Sequence, residues 1–298
     1  MSRAFGLALG FAADQLLGDP RTWHPVAGFG RSAAALEDRL HADSRARGVA
    51  HVALLVGAAT YAGRRLGDGT LATAAATWVV LGGRSLDREA AAVQALLVEG
   101  RLPDARQRLT HLVGRDPTHL DEGEVARAVV ESLAENTSDA VVAPLFWGAL
   151  LGPAGLLGHR AANTLDAMVG HRSARYERFG WAAARLDDLL NIPGSRLTAA
   201  LTVLLGPDPA GAVRAWRRDA AAHPSPNAGP VEAAFAGALG LRLGGSNVYG
   251  TRLERRARLG DGRRPAQHDI TRARSMARRV GVGALIALAP IAARHRRR

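Results

Sequence analysis

The sequence predicts an all-α, multi-pass integral membrane protein of short and partly broken helices, on three observations. Apolar runs of about fifteen residues recur, each flanked by arginine. Glycine and proline interrupt the apolar stretch that follows residue 140. Between Glu131 and Arg196, acidic and amide side chains recur at helical spacing in an otherwise Ala/Leu/Gly-rich chain.

Composition removes several chemistries. All 39 basic residues are arginine, the net charge is +12, and there is no cysteine. A phosphate-binding Gly-Lys loop, a Schiff-base lysine, a thiol nucleophile and Cys-ligated zinc are therefore excluded. Aromatics are 5% of the chain and do not interleave with the arginines, which argues against nucleic acid as a partner. Arginines flanking apolar segments point instead to the lipid bilayer. The 298 residues, 47% hydrophobic, suffice for a sizeable core. They read as a single membrane domain over 1–298 with a soluble helical insert at about 85–136.

In order, Ala4 to Leu17 is an apolar helix in which Asp14 argues against a signal-peptide core. Gly18-Asp19-Pro20-Arg21-Thr-Trp-His24-Pro25 is a Gly/Pro-punctuated loop. A polar helix runs from about Gly30 to His41. Val49–Gly63 and Thr70–Gly83 read as a helical hairpin, each arm shorter than the ~20 residues that cross hydrocarbon unaided. In the insert, Leu86, Ala90, Val93 and Leu97 make one stripe, Gly100 ends that helix and Pro103 starts the next. Asp121 and Glu124 have capping-box spacing and start the helix of Glu131 and Glu135, whose default reading is a solvated face.

Ala140 to Gly158 carries Pro144, Gly148, Gly152, Pro153 and Gly155, so it reads as a pair of half-helices that does not cross the membrane. Leu197 to Leu205 is another short apolar run, and Ala210 to Ala222 an arginine-bearing helix. His223-Pro-Ser-Pro-Asn-Ala-Gly229 and Gly244-Gly-Ser-Asn247 read as defined loops, and Val280 to Ala293 as a last apolar helix.

The polar spacing singles out candidates. Glu131, Glu135 and Asp139 lie at i, i+4, i+8; His159, Asn163 and Asp166 at i, i+4, i+7; Asp187 and Asn191 at i, i+4. Each set falls on one helix face.

Asp14-Gln-Leu-Leu-Gly-Asp-Pro20 with His24-Pro-Val, Glu131-Ser-Leu-Ala-Glu-Asn-Thr-Ser-Asp139, Asn163-Thr-Leu-Asp-Ala-Met-Val-Gly170, Ala184-Arg-Leu-Asp-Asp-Leu-Leu-Asn191 and His223-Pro-Ser-Pro-Asn-Ala-Gly229 resemble, in order, the cobalamin-biosynthesis family CobD/CbiB, the adenosylcobinamide-phosphate synthases. Two stretches depart from the family pattern by one proline position each, at Pro193 and Pro230. The resemblance implies a multi-pass protein of the cell inner membrane with its site in cytoplasm-facing loops. It implies a ligase that joins aminopropanol or aminopropanol phosphate to the propionate carboxylate of adenosylcobyric acid, using ATP, with the corrinoid as substrate. Other membrane enzymes of cobalamin assembly are then expected partners.

Such an amide ligation needs Mg²⁺ on the phosphates, guanidinium for the transferring charge and a base for the ammonium. His24, Glu131, Glu135 and Asp187 are the catalytic candidates. Glu135, Asp139, Asp187 and Asp188 are candidates for Mg²⁺. Arg172 and Arg175, then Arg21, are expected on phosphate, since a lysine-free protein must use guanidinium there. Asp19, Asn136, Asn163, Asp166, His223, Ser225, Asn227 and Asn247 complete the substrate-binding set. The rival readings are an intramembrane prenyltransferase holding magnesium diphosphate on Asp187-Asp188 and Asn163 to Asp166, and a transporter with a midplane site.

Overall fold

The computed structural model describes residues 3–19, 24–171, 173–249 and 252–294, with backbone alone for 246–249 and 252–255. The helices are α1 (Arg3–Leu17), α2 (Pro25–Leu40), α3 (Arg45–Leu66), α4 (Thr70–Val80), α5 (Gly83–Val98), α6 (Leu102–Leu109) and α7 (Glu122–Thr137). After a π-helical turn at Ser138–Val142 come α8 (Ala143–Leu151) and α9 (Pro153–Leu165), with a second π turn at Asp166–Gly170. Then follow α10 (Trp181–Leu205), α11 (Pro209–Asp219), α12 (Ala228–Leu239), strands β1 (Leu243–Tyr249) and β2 (Arg252–Leu259), and α13 (Gln267–Arg294). The expected helical class holds.

The chain divides into two compact units, Met1–Gly82 with Asp139–Gly194 and Leu285–Arg298, and Gly83–Ser138 with Ser195–Ala284. The stretch expected as an insert at about 85–136 falls in the second unit, which also takes in 195–284.

In the first unit, α3 and α4 do not form the expected hairpin. Instead α4 packs on α1 and α3 on α9. Small residues set this choice: Gly6 and Gly10 of α1 lie against Thr73 and Thr77 of α4, and Gly63 of α3 meets the backbone of Pro153 and Ala154. An added methyl at any of these glycines would collide with its neighbour, so the close approach depends on them. The expected half-helices are present as α8 and α9, packed on each other across a break at Gly152, whose φ of 61° a β-carbon would strain. Ala33, Val52, Leu55, Leu165, Val169, Phe179 and Ala183 form an apolar core between α2, α3, α9 and α10. Arg3 reaches Asp68 at 2.7 Å and the carbonyl of Leu150 at 2.9 Å, tying α1 to the ends of α3 and α8.

Pro193 sits inside the continuous α10. A mid-helix proline removes one backbone bond, and Trp147 Nε1 donates to the nearby Leu190 carbonyl at 2.9 Å. The run at Leu197 to Leu205 is the end of this same helix.

In the second unit, Ala90, Val93 and Leu97 are buried as their stripe predicts, and Gly100 closes α5 at φ 70°. Asp121 and Glu124 form the predicted capping box of α7. The interior of α7, from Val125 to Ala134, is buried on every face, so the solvated-face reading of Glu131 fails. The all-α expectation also missed a two-stranded antiparallel ribbon, β1 with β2, where Gly244-Gly245 makes the register shift at φ 78° and 105°. Both angles are left-handed, which glycine adopts without the steric penalty of a β-carbon.

Candidate functional site

In the first unit, the i, i+4 patterns of two helices meet as a polar seam. His159 Nε2 lies 2.9 Å from Asn191 Oδ1, and Asn163 Nδ2 donates to Asp187 Oδ1 at 3.3 Å. The pairs 159–191 and 163–187 run in opposite senses, so α9 and α10 present these faces antiparallel. The amide oxygen of Asn191 accepts, which makes His159 the Nε2–H tautomer. Burial holds its pKa at about 4, against the bond to Asn191, so the ring is neutral.

Asp187 is the electrostatic centre of this seam. Burial raises its carboxyl to about 7, and the charge of Asp166 and then Asp188 adds to the shift, while the bond from Asn163 opposes it. Asp188, less buried, is raised by burial and relieved by Arg185, 3.6 Å away. The substrate-binding candidates Asn163 and Asp166 thus act on the catalytic candidate Asp187.

Other candidates of this unit are occupied locally. His24 Nδ1 accepts from the backbone of Val26 at 3.1 Å and caps α2 ahead of Pro25. Arg175 binds Glu37 Oε1 at 3.0 Å, Tyr176 Oη donates to the same oxygen at 2.9 Å, and the guanidinium lies over the Tyr176 ring. The phosphate role expected of Arg175 therefore competes with an internal ion pair. Asp19 has an Oδ1 closed from solvent without a hydrogen-bond partner. Arg21, Arg172 and the Asn247 side chain lie outside the described residues.

In the second unit, Glu131 has both carboxylate oxygens engaged. Arg115 donates to Oε2 at 2.5 Å, while Arg127 at 3.0 Å and the Gly244 amide at 2.8 Å donate to Oε1. Burial would raise its pKa, but Arg115 and Arg127 outweigh burial and hold it below the usual carboxylate range. With its oxygens so filled, Glu131 joins α7 to the ribbon and to the chain before α7. Arg127 is legible in sequence at i−4 from Glu131, whereas Arg115 carries no local signal.

Glu135, one turn on, shows the opposite behaviour. Burial raises it and Glu131 adds to the rise, against Arg256. Glu232 on α12, which spacing did not single out, is raised further, by burial and then by Glu131 and Glu135. Its Oε1 lies 3.8 Å from His223 Nε2 and has no hydrogen-bond partner. The signal for Glu232 was its place in an apolar helix, where a bare carboxylate is costly.

The remaining candidates hold the loop before α12. Ser225 Oγ accepts from the amides of Asn227 and Ala228 at 3.2 Å, and His223 Nδ1 accepts from the Ser225 amide at 3.1 Å. Asn227 Oδ1 accepts from Ser195 and Arg196, both at 3.1 Å. Asn136 Nδ2 turns back to the Ser132 carbonyl of its own helix at 2.9 Å.

Among the described residues, no group of three or more His, Asp or Glu side chains converges to hold a metal ion. The expected set of Glu135, Asp139, Asp187 and Asp188 therefore does not form a protein-only cage. In the first unit the carboxylates that act on one another are Asp166, Asp187 and Asp188.

A family model described as "CobD/Cbib protein" matches residues 7–277. A "Cobalamin biosynthesis protein CobD" of Mycobacterium tuberculosis is 51% identical over 295 residues, covering 96% of this chain and 94% of that protein. The protein of the same name from Chromobacterium violaceum is 45% identical, covering 92% and 91%. That from Rhodobacter capsulatus is 47% identical, covering 72% and 69%. No solved structure matches. With a family model over most of its length and relatives of this similarity, the chain belongs to the CobD/CbiB family of cobalamin-biosynthesis proteins.

Proposed function

We propose that the protein is an ATP-dependent ligase that joins aminopropanol, or its phosphate, to the propionate carboxylate of adenosylcobyric acid. The observation that carries this reading is the buried α9/α10 seam, where Asp187 and Asp166 repel one another beside the amide of Asn163. Two such carboxylates form an oxygen donor set suited to Mg²⁺, which takes one or two carboxylates and completes its shell with water and phosphate oxygens. Asp166 and Asp187 would hold the ion, which when bound offsets the charge of the nucleotide phosphates. Asn163 orients the Asp187 carboxyl, and neutral His159 fixes Asn191 on the same face. The propionate oxygen attacks the γ-phosphorus of ATP, giving an acyl phosphate and ADP. The amine, having lost a proton to a base, displaces phosphate from the acyl carbon and leaves the amide.

The same reading places the protein in the inner membrane as a multi-pass protein facing the cytoplasm. Gln267–Arg294 is the one helix among the described residues long and apolar enough to cross, with a mean hydropathy of 1.5 over its best window. Large apolar side chains are also exposed on α1 (Phe5, Leu9, Leu16), α3 (Val49, Leu54) and α4 (Leu71). Lipid is the solvent such surfaces require. In this reading α1, α3, α4 and the C-terminal half of α13 face lipid, and the acidic seam lies outside them. Labelling at Tyr176 from the cytoplasmic side tests the orientation, and an external label there excludes it.

The prenyltransferase reading keeps one supporting observation, since it also requires Asn163 and Asp166 beside Asp187. One assay separates the two. Purified protein in detergent is given adenosylcobyric acid, aminopropanol phosphate and Mg-ATP, and mass spectrometry follows the amide product. The ligase reading expects product and ADP from the native protein and none from a folded Asp187→Ala/Asp188→Ala variant. No product with any amine or nucleotide rejects it.

A further inference from the structure

The hairpin that α3 and α4 do not form leaves a space in the first unit. Both helices pack on α9 rather than on each other, and between them opens a cavity of about 170 Å³, floored by α9 and closed at one end by Val26 and Phe29 of α2. Ala59 of α3, Val79 of α4 and Leu157 of α9 give it apolar walls. Two polar side chains also line it. Thr164 donates its hydroxyl to the Arg160 carbonyl at 2.8 Å, one turn back, and is thereby used. The Arg160 guanidinium has its Nε closed from solvent without an acceptor, and no carboxylate lines the cavity among the described residues. Asp19 acts on it only at a distance and is not part of the lining.

A guanidinium among apolar walls is costly until an anion meets it. A small soluble anion satisfies the charge and not the walls, whereas an anionic amphiphile satisfies both. The space beyond the cavity has the same character. Toward the short connection between α3 and α4, Ala62 lies one turn beyond Ala59 and Ala75 one turn before Val79, both exposed, so an uncharged groove runs on between the two helices. An apolar cavity of about 150 Å³ admits a benzene ring, so this one takes the glycerol and first methylenes of a lipid and leaves the rest of the acyl chain to the groove.

We infer that the cleft between α3 and α4 is a binding site for an anionic phospholipid, its phosphate held by Arg160 and its acyl chain laid along Ala59, Ala62, Val79 and Ala75. This rests on the membrane placement proposed above and adds to it one lipid at a fixed position. A guanidinium meets a phosphate with two parallel hydrogen bonds. Phosphatidylglycerol presents that phosphate with a net negative charge, while the ammonium of phosphatidylcholine cancels it. The lipid also joins two helices that do not pack on each other, and so completes the first unit.

Photolabelling of the full chain in phosphatidylcholine vesicles doped with phosphatidylglycerol tests the site, one lipid or the other carrying a diazirine in its acyl chain. Peptide mass spectrometry should place the phosphatidylglycerol label on residues 59–62 and 75–79, at a yield roughly tenfold to a hundredfold above that of the phosphatidylcholine probe. Arg160→Gln should bring the two probes to the same yield, and Arg160→Lys should restore part of the difference. Ala59→Leu, which fills the cleft without touching the charge, should lower both. Arg64→Gln/Arg65→Gln, at the exposed end of α3, should leave the labelling unchanged, which separates the site from the general attraction of a chain of net charge +12 to anionic lipid. A phosphatidylglycerol preference that survives in Arg160→Gln overturns the inference, as does one that falls equally in Arg64→Gln/Arg65→Gln. Loss of the label on adding excess glycerol phosphate assigns the guanidinium to a soluble phosphate and also overturns it. Sedimentation with the vesicles separates the two levels. A chain that sediments with them and takes no label on these segments loses the lipid site and keeps its membrane placement, while one that stays in solution beside vesicles of either lipid loses both.

Discussion

Glu131 and Asp187 are both buried carboxylates on helices, each part of an i, i+4 polar pattern, and they carry opposite electrostatics. Glu131 meets two arginines and a backbone amide and is held ionised below the usual range. Asp187 meets two more aspartates and the side chains of Asn163 and Asn191, and burial lifts it to about 7. Burial opposes ionisation at both, so the partners decide the outcome. One carboxylate is thereby committed to holding structure, and the other is left with its ionised form disfavoured.

The largest effect expected from this contrast is on stability. Glu131→Gln leaves Arg115 and Arg127 buried without their counter-charge, which costs about 3–5 kcal/mol. Denaturant unfolding in detergent measures it, and a loss below ~1 kcal/mol would remove Glu131 from its structural role.

Asp187→Asn should act in the other direction. A carboxyl whose folded pKa is raised loses stability as pH climbs from the unfolded value near 4 to the folded value of about 7, and the penalty stays constant above. The native protein should therefore fall in Tm across pH 4 to 7 relative to Asp187→Asn, and at pH 8 the variant should be more stable by up to a few kcal/mol. Parallel Tm curves would contradict the shift. Mg-ATP at pH 8 should raise the Tm of the native protein and not that of the variant, because the cation supplies what the neighbours of Asp187 lack.

Asn163→Ala removes one of the two asparagine side chains, with Asn191, that favour ionised Asp187 and should lower stability at pH 8 by ~1 kcal/mol. The descent of Tm with pH should move upward. The smallest effect belongs to Arg175→Ala, whose half-exposed pair with Glu37 should contribute under ~1 kcal/mol. A lost ATP dependence in that variant would restore Arg175 to the phosphates.

Much of this was legible locally. The capping box of Asp121 and Glu124, the stripe through Ala90 and Leu97, and the half-helices parted at Gly152 follow from spacing and from the backbone freedom of glycine. The motifs around Asp187 and Asn163 gave the family. What failed depended on partners distant in sequence. The expected α3/α4 hairpin yielded to α1/α4 and α3/α9, because glycines on α1 and α3 allow closer approach there. The β1/β2 ribbon formed where Gly244-Gly-Ser-Asn247 was read as a loop.

The sequence alone determined the helical class, the family, and the helix face on which each acidic group sits, because these depend on residue type and on a fixed rise and turn per residue. The tertiary structure decided which faces meet. It set His159 against Asn191 and Asn163 against Asp187, and brought Arg115 to Glu131. The charge state of a buried group is a property of its neighbours in space, and periodicity along a chain does not name them.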